Sequence, residues 1–235
     1  MKILMINSVC GIKSTGRICT DLAVELDRQG HEVKIAYGRE SVPEQFQKYA
    51  VRIGSEWDVR FHGMKARLFD AMGLGSREAT KKFIKWVEEF NPDIIHLHNI
   101  HGYYINIEIL FKYLKTCGKK IIWTLHDCWT FTGHCAYFDF YGCNKWISGC
   151  KGICVCKKDY PAAFLLSRAE QNYQIKKSLF TGINNLTIVT PSQWLASLVK
   201  KSFLSEYHVE VINNGVNTDI FKPTPSNIKN IYSIG

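Results

Sequence analysis

Apolar runs of strand length recur along the chain at Ile3–Asn7, Val33–Tyr37, Ile94–His98, Ile121–His126, Leu186–Thr190 and Val209–Ile212. Between them, apolar residues return at helical spacing. Ile18, Leu22 and Leu26 predict a short amphipathic helix that stops at Gly30, and Ala79, Phe83, Val87 and Phe90 predict one running from near Ser76 to just before Pro92. A third is predicted from about Ile105 to Cys117, and Ser192 is placed to cap a fourth carrying Trp194, Leu195 and Leu198. Strands alternating with helices predict an α/β, Rossmann-like, doubly wound and mainly parallel sheet. Ligands of such sheets bind beyond the carboxyl ends of the strands, so the residues just after each strand are the candidates for chemistry.

Composition narrows the class. At 235 residues and 46% hydrophobic the chain can bury one large core. No run approaches the ~20 apolar residues of a membrane span. Met1-Lys-Ile-Leu-Met-Ile-Asn7 lacks the length and cleavage site of a secretory signal, which predicts a cytoplasmic protein. In that setting the nine cysteines are expected as thiols or metal ligands rather than disulfides. A formal charge of +9 points to an anionic partner, whether nucleotide phosphates, anionic lipid or nucleic acid. No nucleic-acid-binding module accompanies the charge, and nucleic acid is not expected as a partner.

Three loops carry candidate chemistry. Ser8–Arg17 (SVCGIKSTGR) offers glycines, the hydroxyls of Ser14 and Thr15, Gly16, Arg17 and a following helix N-terminus, all suited to a phosphate. Gly11 and Gly16 have Walker A spacing, but Arg17-Ile18 replaces the required Lys-Ser/Thr, and the dinucleotide fingerprint is missing. The alternative is that Ser14 or Thr15 merely caps the helix. The second loop follows Ile94–His98 with Asn99, His101, Tyr103 and Tyr104. Its histidines can be read as metal ligands, but orienting carboxylates and a recognisable spacing are missing. A polar and aromatic pocket for a sugar is the other reading, with His96 structural. The third loop, His126-Asp127-Cys-Trp129-Thr-Phe-Thr-Gly133-His134-Cys135, places a polar pair at a strand end, with Trp129 available to stack on a sugar ring.

A cysteine-rich segment of about 128–156 contains Cys128, Cys135, Cys143, Cys150, Cys154 and Cys156. Its density predicts a structural zinc held by Cys135, Cys143, Cys150 and Cys154. The spacings Cys150-x-x-x-Cys154 and Cys154-x-Cys156 leave buried thiols and an oxidation-dependent disulfide as alternatives. Arg60 to Lys85 mixes Lys65, Arg67, Arg77, Lys81, Lys82 and Lys85 with Phe61, Met64, Leu68, Phe69 and Met72. That is either a surface for anionic lipid headgroups or a solvated helix face.

In this order, GIKSTGRI, HLHNIHGYY, WTLHDCW, the cysteine-rich segment, Thr190-Pro-Ser-Gln-Trp194 and NNGVNTDIF span nearly the whole chain. Together they resemble the retaining family 4 glycosyltransferases of GT-B fold, in particular those of capsule and exopolysaccharide assembly of the colanic-acid type. The resemblance implies the acceptor-side half of such an enzyme. His126 and Asp127 would be catalytic, with His126 positioning groups and stabilising charge, because retention in that family does not rely on an obvious protein nucleophile. His98, Asn99, His101, Tyr103 and Trp129 would bind the acceptor, and Ser14, Thr15, Gly16 and Arg17 would face the donor phosphates. The implied substrates are a nucleotide sugar and a glycan or lipid-linked acceptor, met at the inner face of the plasma membrane. NGVNTDIFKP resembles the family's interdomain hinge, so residues 1–216 read as the acceptor-side domain. Residues 217–235 read as the hinge and the start of a donor-binding domain whose remainder has no counterpart here. Two expectations follow: sugar transfer for which this chain alone is incomplete, or a truncated, non-catalytic domain that binds an acceptor or partner.

Overall fold

In the computed structural model, which describes residues 1–223, seven strands form one sheet. They are β1 (Lys2–Ile6), β2 (Glu32–Tyr37), β3 (Ala50–Arg52), β4 (Ile94–Leu97), β5 (Lys120–Thr124), β6 (Leu186–Thr190) and β7 (His208–Val211). The order is β3-β2-β1-β4-β5-β6-β7, every pair parallel. Strand order therefore reverses between β1 and β4, and the crevice at their carboxyl ends is where a doubly wound sheet binds ligands. The α/β Rossmann-like expectation is met.

Six helices cover the faces: α1 (Lys13–Arg28), α2 (Glu56–Phe69), α3 (Arg77–Phe90), α4 (Ile107–Leu114), α5 (Ala169–Phe180) and α6 (Gln193–Lys201). The period-2 alternation of β1 sorts its residues between two cores. Ile3 and Met5 pack with Cys19 and Ala23 of α1 and with Val33 and Ile35 of β2. Leu4 and Ile6 join Phe83 and Val87 of α3, Leu110 and Phe111 of α4, Phe180 of α5 and Leu195 of α6. Both faces are covered, which is why the strands read as continuous apolar runs.

Several elements differ from the sequence reading. β4 stops at Leu97 and β5 at Thr124, so His98 and His126 lie past their strands. The buried side of α1 is Gly16, Cys19, Thr20 and Ala23: small residues let the helix sit close on the sheet, and of the expected Ile18-Leu22-Leu26 stripe Leu22 is 39% exposed while Leu26, partly buried, packs against the core. Trp194 is likewise half exposed, and α6 buries Leu195, Ala196 and Val199 behind the expected Ser192 cap, whose side chain accepts the Leu195 N–H at 3.2 Å. β3, α2 and α5 were not read as elements. Of the hinge and domain start expected at residues 217–235, residues 224–235 lie outside the described residues.

The basic stretch divides into α2 and α3, separated by the turn from Asp70 to Ser76. His62 of α2 staples that turn. Its Nε2 accepts the N–H groups of Gly73 and Gly75, each at 3.1 Å, and its Nδ1 lies 2.9 Å from Ser76 Oγ. Met72, expected on the surface, is buried there.

Candidate active site

The carboxyl ends of β1, β4 and β5 come together around Asn7, a fully buried residue immediately after β1. Its side-chain amide donates to Val9 O at 2.8 Å and to Thr15 Oγ1 at 3.3 Å, while its Oδ1 accepts the Asn99 N–H at 3.2 Å. One asparagine thereby joins the Ser8–Arg17 loop to the loop after β4.

The first turn of α1 begins at Lys13, earlier than the sequence suggested, so Ser14, Thr15, Gly16 and Arg17 are helical rather than part of the preceding loop. Ile12 is the N-cap and no side chain caps it, so capping by Ser14 or Thr15 is not what occurs. The orphan N–H groups of that turn remain available to an anion. Gly16 sits in a tight space. A Cβ there would lie 3.0 Å from Val9 Cγ2 and 3.3 Å from Gly11 N, whose N–H donates to Gly16 O. Ser14 and Arg17 are exposed beside it.

Beyond β4 and β5 the imidazoles stack in a row. His96 and His98 have ring centroids 4.1 Å apart, and His98 and His126 lie 5.4 Å apart and nearly parallel. His98 Nδ1 is 3.1 Å from His126 Nε2, and His96 Nε2 is 2.8 Å from Thr124 Oγ1. Burial in this crowded row pushes His96 and His126 down to about 4 and His98 lower still. Neighbouring rings add to the effect on His96 and His98, and at His126 the Asp127 carboxylate opposes it. The rings are thus neutral at pH 7 and serve as hydrogen-bonding groups. His98 Nε2 is buried with no protein partner, and His126 is the catalytic candidate that keeps solvent access.

Asp127 is committed elsewhere. Its Oδ2 is 2.8 Å from His101 Nε2, and its Oδ1 accepts the Trp129 N–H at 2.9 Å. Burial alone would raise this carboxyl, but the field and hydrogen bond of His101, the Trp129 N–H and His126 outweigh it and hold Asp127 below the usual range. His101 in turn reaches Tyr160 Oη through Nδ1 at 3.1 Å. Asp127 and His101 therefore form a fixed scaffold behind His126.

Trp129 departs from its expected place: at 1% exposure its ring packs against His101 and beneath the Lys176 ammonium, and presents no face to a sugar. Tyr103 is also buried, with the Arg39 guanidinium 5.9 Å from its ring centre. Arg39, two residues beyond β2, was missed, although inspecting residues after each strand would have found it. Asn7 and Tyr160 were missed too. Asn7 was absorbed into the first apolar run, and Tyr160 reaches His101 only through the fold.

The cysteine-rich segment forms a separate cluster. Cys135, Cys143, Cys150, Cys154 and Cys156 surround one small pocket. Among the described residues, no three His, Cys, Asp or Glu side chains are gathered into a metal-binding group. A depression of about 840 Å³ lies at the amino ends of β5 and β6 beside Lys120 and Asn185. It is at the wrong end of the sheet for the switch-point site, which is an open surface between loops. No described helix is long and apolar enough to cross a membrane.

Comparison with known proteins agrees with this fold. WcaC of Escherichia coli (strain K12), named for colanic acid biosynthesis and as a glycosyl transferase, is 26% identical over 228 residues, covering 92% of this chain and 55% of WcaC. The chain thus spans about half the length of that relative. Among solved structures, a sucrose-phosphate synthase from Thermosynechococcus elongatus superposes with a TM-score of 0.56 at 11% identity, over 95% of this chain and 50% of that one, which is a likeness of fold. The profile of Glycosyltransferase Family 4 matches residues 15–220, and the chain belongs to that family.

Proposed function

We propose that residues 1–216 are the acceptor-side domain of a glycosyltransferase that moves a sugar from a nucleotide-sugar donor to a glycan or lipid-linked acceptor in cell-surface polysaccharide biosynthesis. The observation that carries this reading is the placement of His126. It is half buried at the switch-point crevice, backed by neutral His98 and by the Asp127–His101 pair, and it shares that crevice with the N-terminus of α1. A neutral imidazole fixed this way can orient an acceptor hydroxyl, and His98 Nε2 is a further polar atom in need of a partner. The free first-turn N–H groups of Lys13, Ser14 and Thr15, with Gly16 and Arg17 following them, suit the donor diphosphate, whose charge grows as the glycosidic bond breaks. Asp127 positions His126 and its neighbours rather than exchanging protons.

The surface favours a lipid-linked acceptor. Trp57, Phe61 and Met64 line the outer side of α2, each more than half exposed, and Phe164, Leu165 and Leu166 lie beside them. Phe164 and Leu166 are tied to α2 through hydrogen bonds to Arg67 O and Leu68 O. A groove edged by Arg60, Met64, Arg67 and Phe164 runs from this patch to Arg39 and Tyr103 at the site's mouth. Arg77 and Lys81 of α3 are instead paired with Glu108 and Glu78, so the docking surface narrows to α2. We place the protein peripherally on the inner membrane face by this patch. We also assign the cysteine-rich segment a structural zinc, which would fix the loop carrying Asp127 and Trp129.

The test is transfer from a nucleotide sugar to a lipid-linked acceptor, measured as nucleoside diphosphate release, with this chain joined to a donor-binding domain. His126→Ala should reduce turnover by about 10²–10³-fold, the scale of losing one transition-state contact, with the melting temperature retained. Undiminished turnover by a folded His126→Ala variant would remove His126 from the mechanism.

A further inference from the structure

The nucleophilic and metal-ligating side chains that sugar transfer leaves idle converge on a pocket of about 20 Å³ between the cysteine-rich segment and the start of α5. That is room for one water-sized particle. Its wall includes His134 as well as the five cysteines. His134 Nδ1 lies 2.6 Å from Asp70 Oδ1, both side chains almost fully buried at 1% and 3% exposure. Asp70 is itself anchored, its Oδ2 accepting the Arg168 N–H at 2.7 Å and its carbonyl accepting the Asn172 amide at 2.6 Å. A carboxylate only accepts, so the shared proton belongs to His134 Nδ1, and in the neutral imidazole Nε2 carries the lone pair. That Nε2 is buried and has no partner. An imidazole oriented by a carboxylate through one nitrogen, with the other nitrogen unsatisfied, is the arrangement of metal-binding histidines.

The sulfurs divide into two groups. Cys150 Sγ accepts the Gly133 N–H at 3.2 Å, and the Cys154 sulfur accepts the Cys156 N–H. Cys143, Cys150 and Cys154 are only partly buried, whereas Cys135 and Cys156 are buried and hydrogen-bonded to each other. Gly133 is held at the rim by contact: a Cβ there would lie 1.9 Å from Ala169 O and 3.0 Å from Cys150 Cβ. Behind the pocket sits Lys176, 2% exposed, donating to Trp129 O at 2.6 Å and Thr132 O at 3.0 Å.

We propose that His134 Nε2 and the thiolates of Cys143, Cys150 and Cys154 bind one zinc ion tetrahedrally. The inference rests on the zinc reading above and replaces Cys135, expected from the sequence, with His134. The donors stand around the pocket and the ion draws them together, three thiol protons leaving to solvent as three sulfur–zinc bonds form. Zinc with three thiolates carries one net negative charge, which the neighbouring Lys176 ammonium balances in a site that burial otherwise makes unfavourable for either charge alone. Through its bonds to Trp129 O and Thr132 O, Lys176 links this centre to the loop behind His126.

Elemental analysis and zinc K-edge absorption of the full chain, purified without added metal, test this on the unaltered protein. Expected are one zinc per chain and a first shell of three sulfurs near ~2.3 Å and one nitrogen near ~2.0–2.1 Å. Absence of zinc would overturn the zinc reading and the ligand assignment together. One zinc with four sulfurs would overturn His134 alone and restore the four-thiolate set. In chelator competition, Asp70→Asn should weaken zinc binding by about 10–100-fold through the misoriented ring. Cys143→Ser should weaken it at least tenfold, whereas Cys135→Ser should retain it. Full affinity in a folded His134→Ala variant would also overturn the assignment.

Discussion

Burial, with neighbouring imidazoles adding to it, keeps His96, His98 and His126 neutral, and that makes acid pH a probe of the site. His62, pushed down to about 4 by burial while it staples the turn before α3, behaves alike. The folded values lie below the ordinary histidine value, so the unfolded chain binds protons first. Their contribution to stability is complete above about pH 6.5 and is lost as pH falls toward 4. Each ring can add up to ~1.4 kcal/mol per pH unit inside that window. Urea unfolding between pH 7 and 4 should therefore show stability falling with pH, and His96→Gln should flatten the profile. A flat profile in the unaltered chain would show that the rings are not held neutral.

α2 shows how an element can be assigned by what it leaves uncovered. His62 and Ala66 face the core, while Trp57, Phe61 and Met64 face outward with Arg60 stacked 5.1 Å over Trp57. Basic residues around an exposed apolar stripe favour an anionic bilayer, with aromatic insertion and headgroup attraction acting together. The protein is expected to sediment with vesicles containing anionic lipid and to be released as salt rises, because exposed charges are screened over ~10 Å at 0.1 M. Trp57→Ala with Phe61→Ala should weaken binding at every salt concentration. Equal binding to neutral and anionic vesicles would exclude the electrostatic part. The rim of the cysteine pocket gives a second test between elements. Gly133→Ala drives a methyl into the Ala169 carbonyl and should cost about 1–3 kcal/mol in unfolding free energy, an overpacking penalty.

For the molecule as a whole, the described strands build one sheet whose switch-point crevice offers a scaffolded imidazole row and a helix N-terminus, while the matched relative is nearly twice as long. On the proposed reading, catalysis needs a second set of groups to hold the nucleotide diphosphate across the crevice. Residues 1–235 alone are expected to give no measurable transfer. Supplying a donor-binding domain, fused or in trans, should produce turnover that depends on His126. Robust turnover by residues 1–235 alone would mean that the donor site lies within this sheet.

The sequence by itself determined the parallel α/β fold, because strands buried on both faces must be apolar throughout and helices packed on them must carry a stripe. β1, β2, β4, β5, β6 and β7 were all legible on that ground, and so was α3 through Ala79, Phe83 and Val87. It also put His98 and His126 at the carboxyl ends of their strands, where ligands of such sheets bind. It did not reveal β3, whose three residues are too short for a period, or α2, whose apolar side faces solvent. Tertiary structure alone decided which aromatic and polar residues are free. Trp129 and Asp127 read as binding and catalytic groups, yet the packing of Phe180, Lys176 and His101 around them turns both into scaffold. Likewise, nothing in local spacing pairs His134 with Asp70, 64 positions apart; only the fold brings them together and leaves an imidazole nitrogen unsatisfied beside the cysteines. Periodicity reports which side of an element meets the core, whereas hydrogen-bond partners are set by contacts between segments distant in sequence.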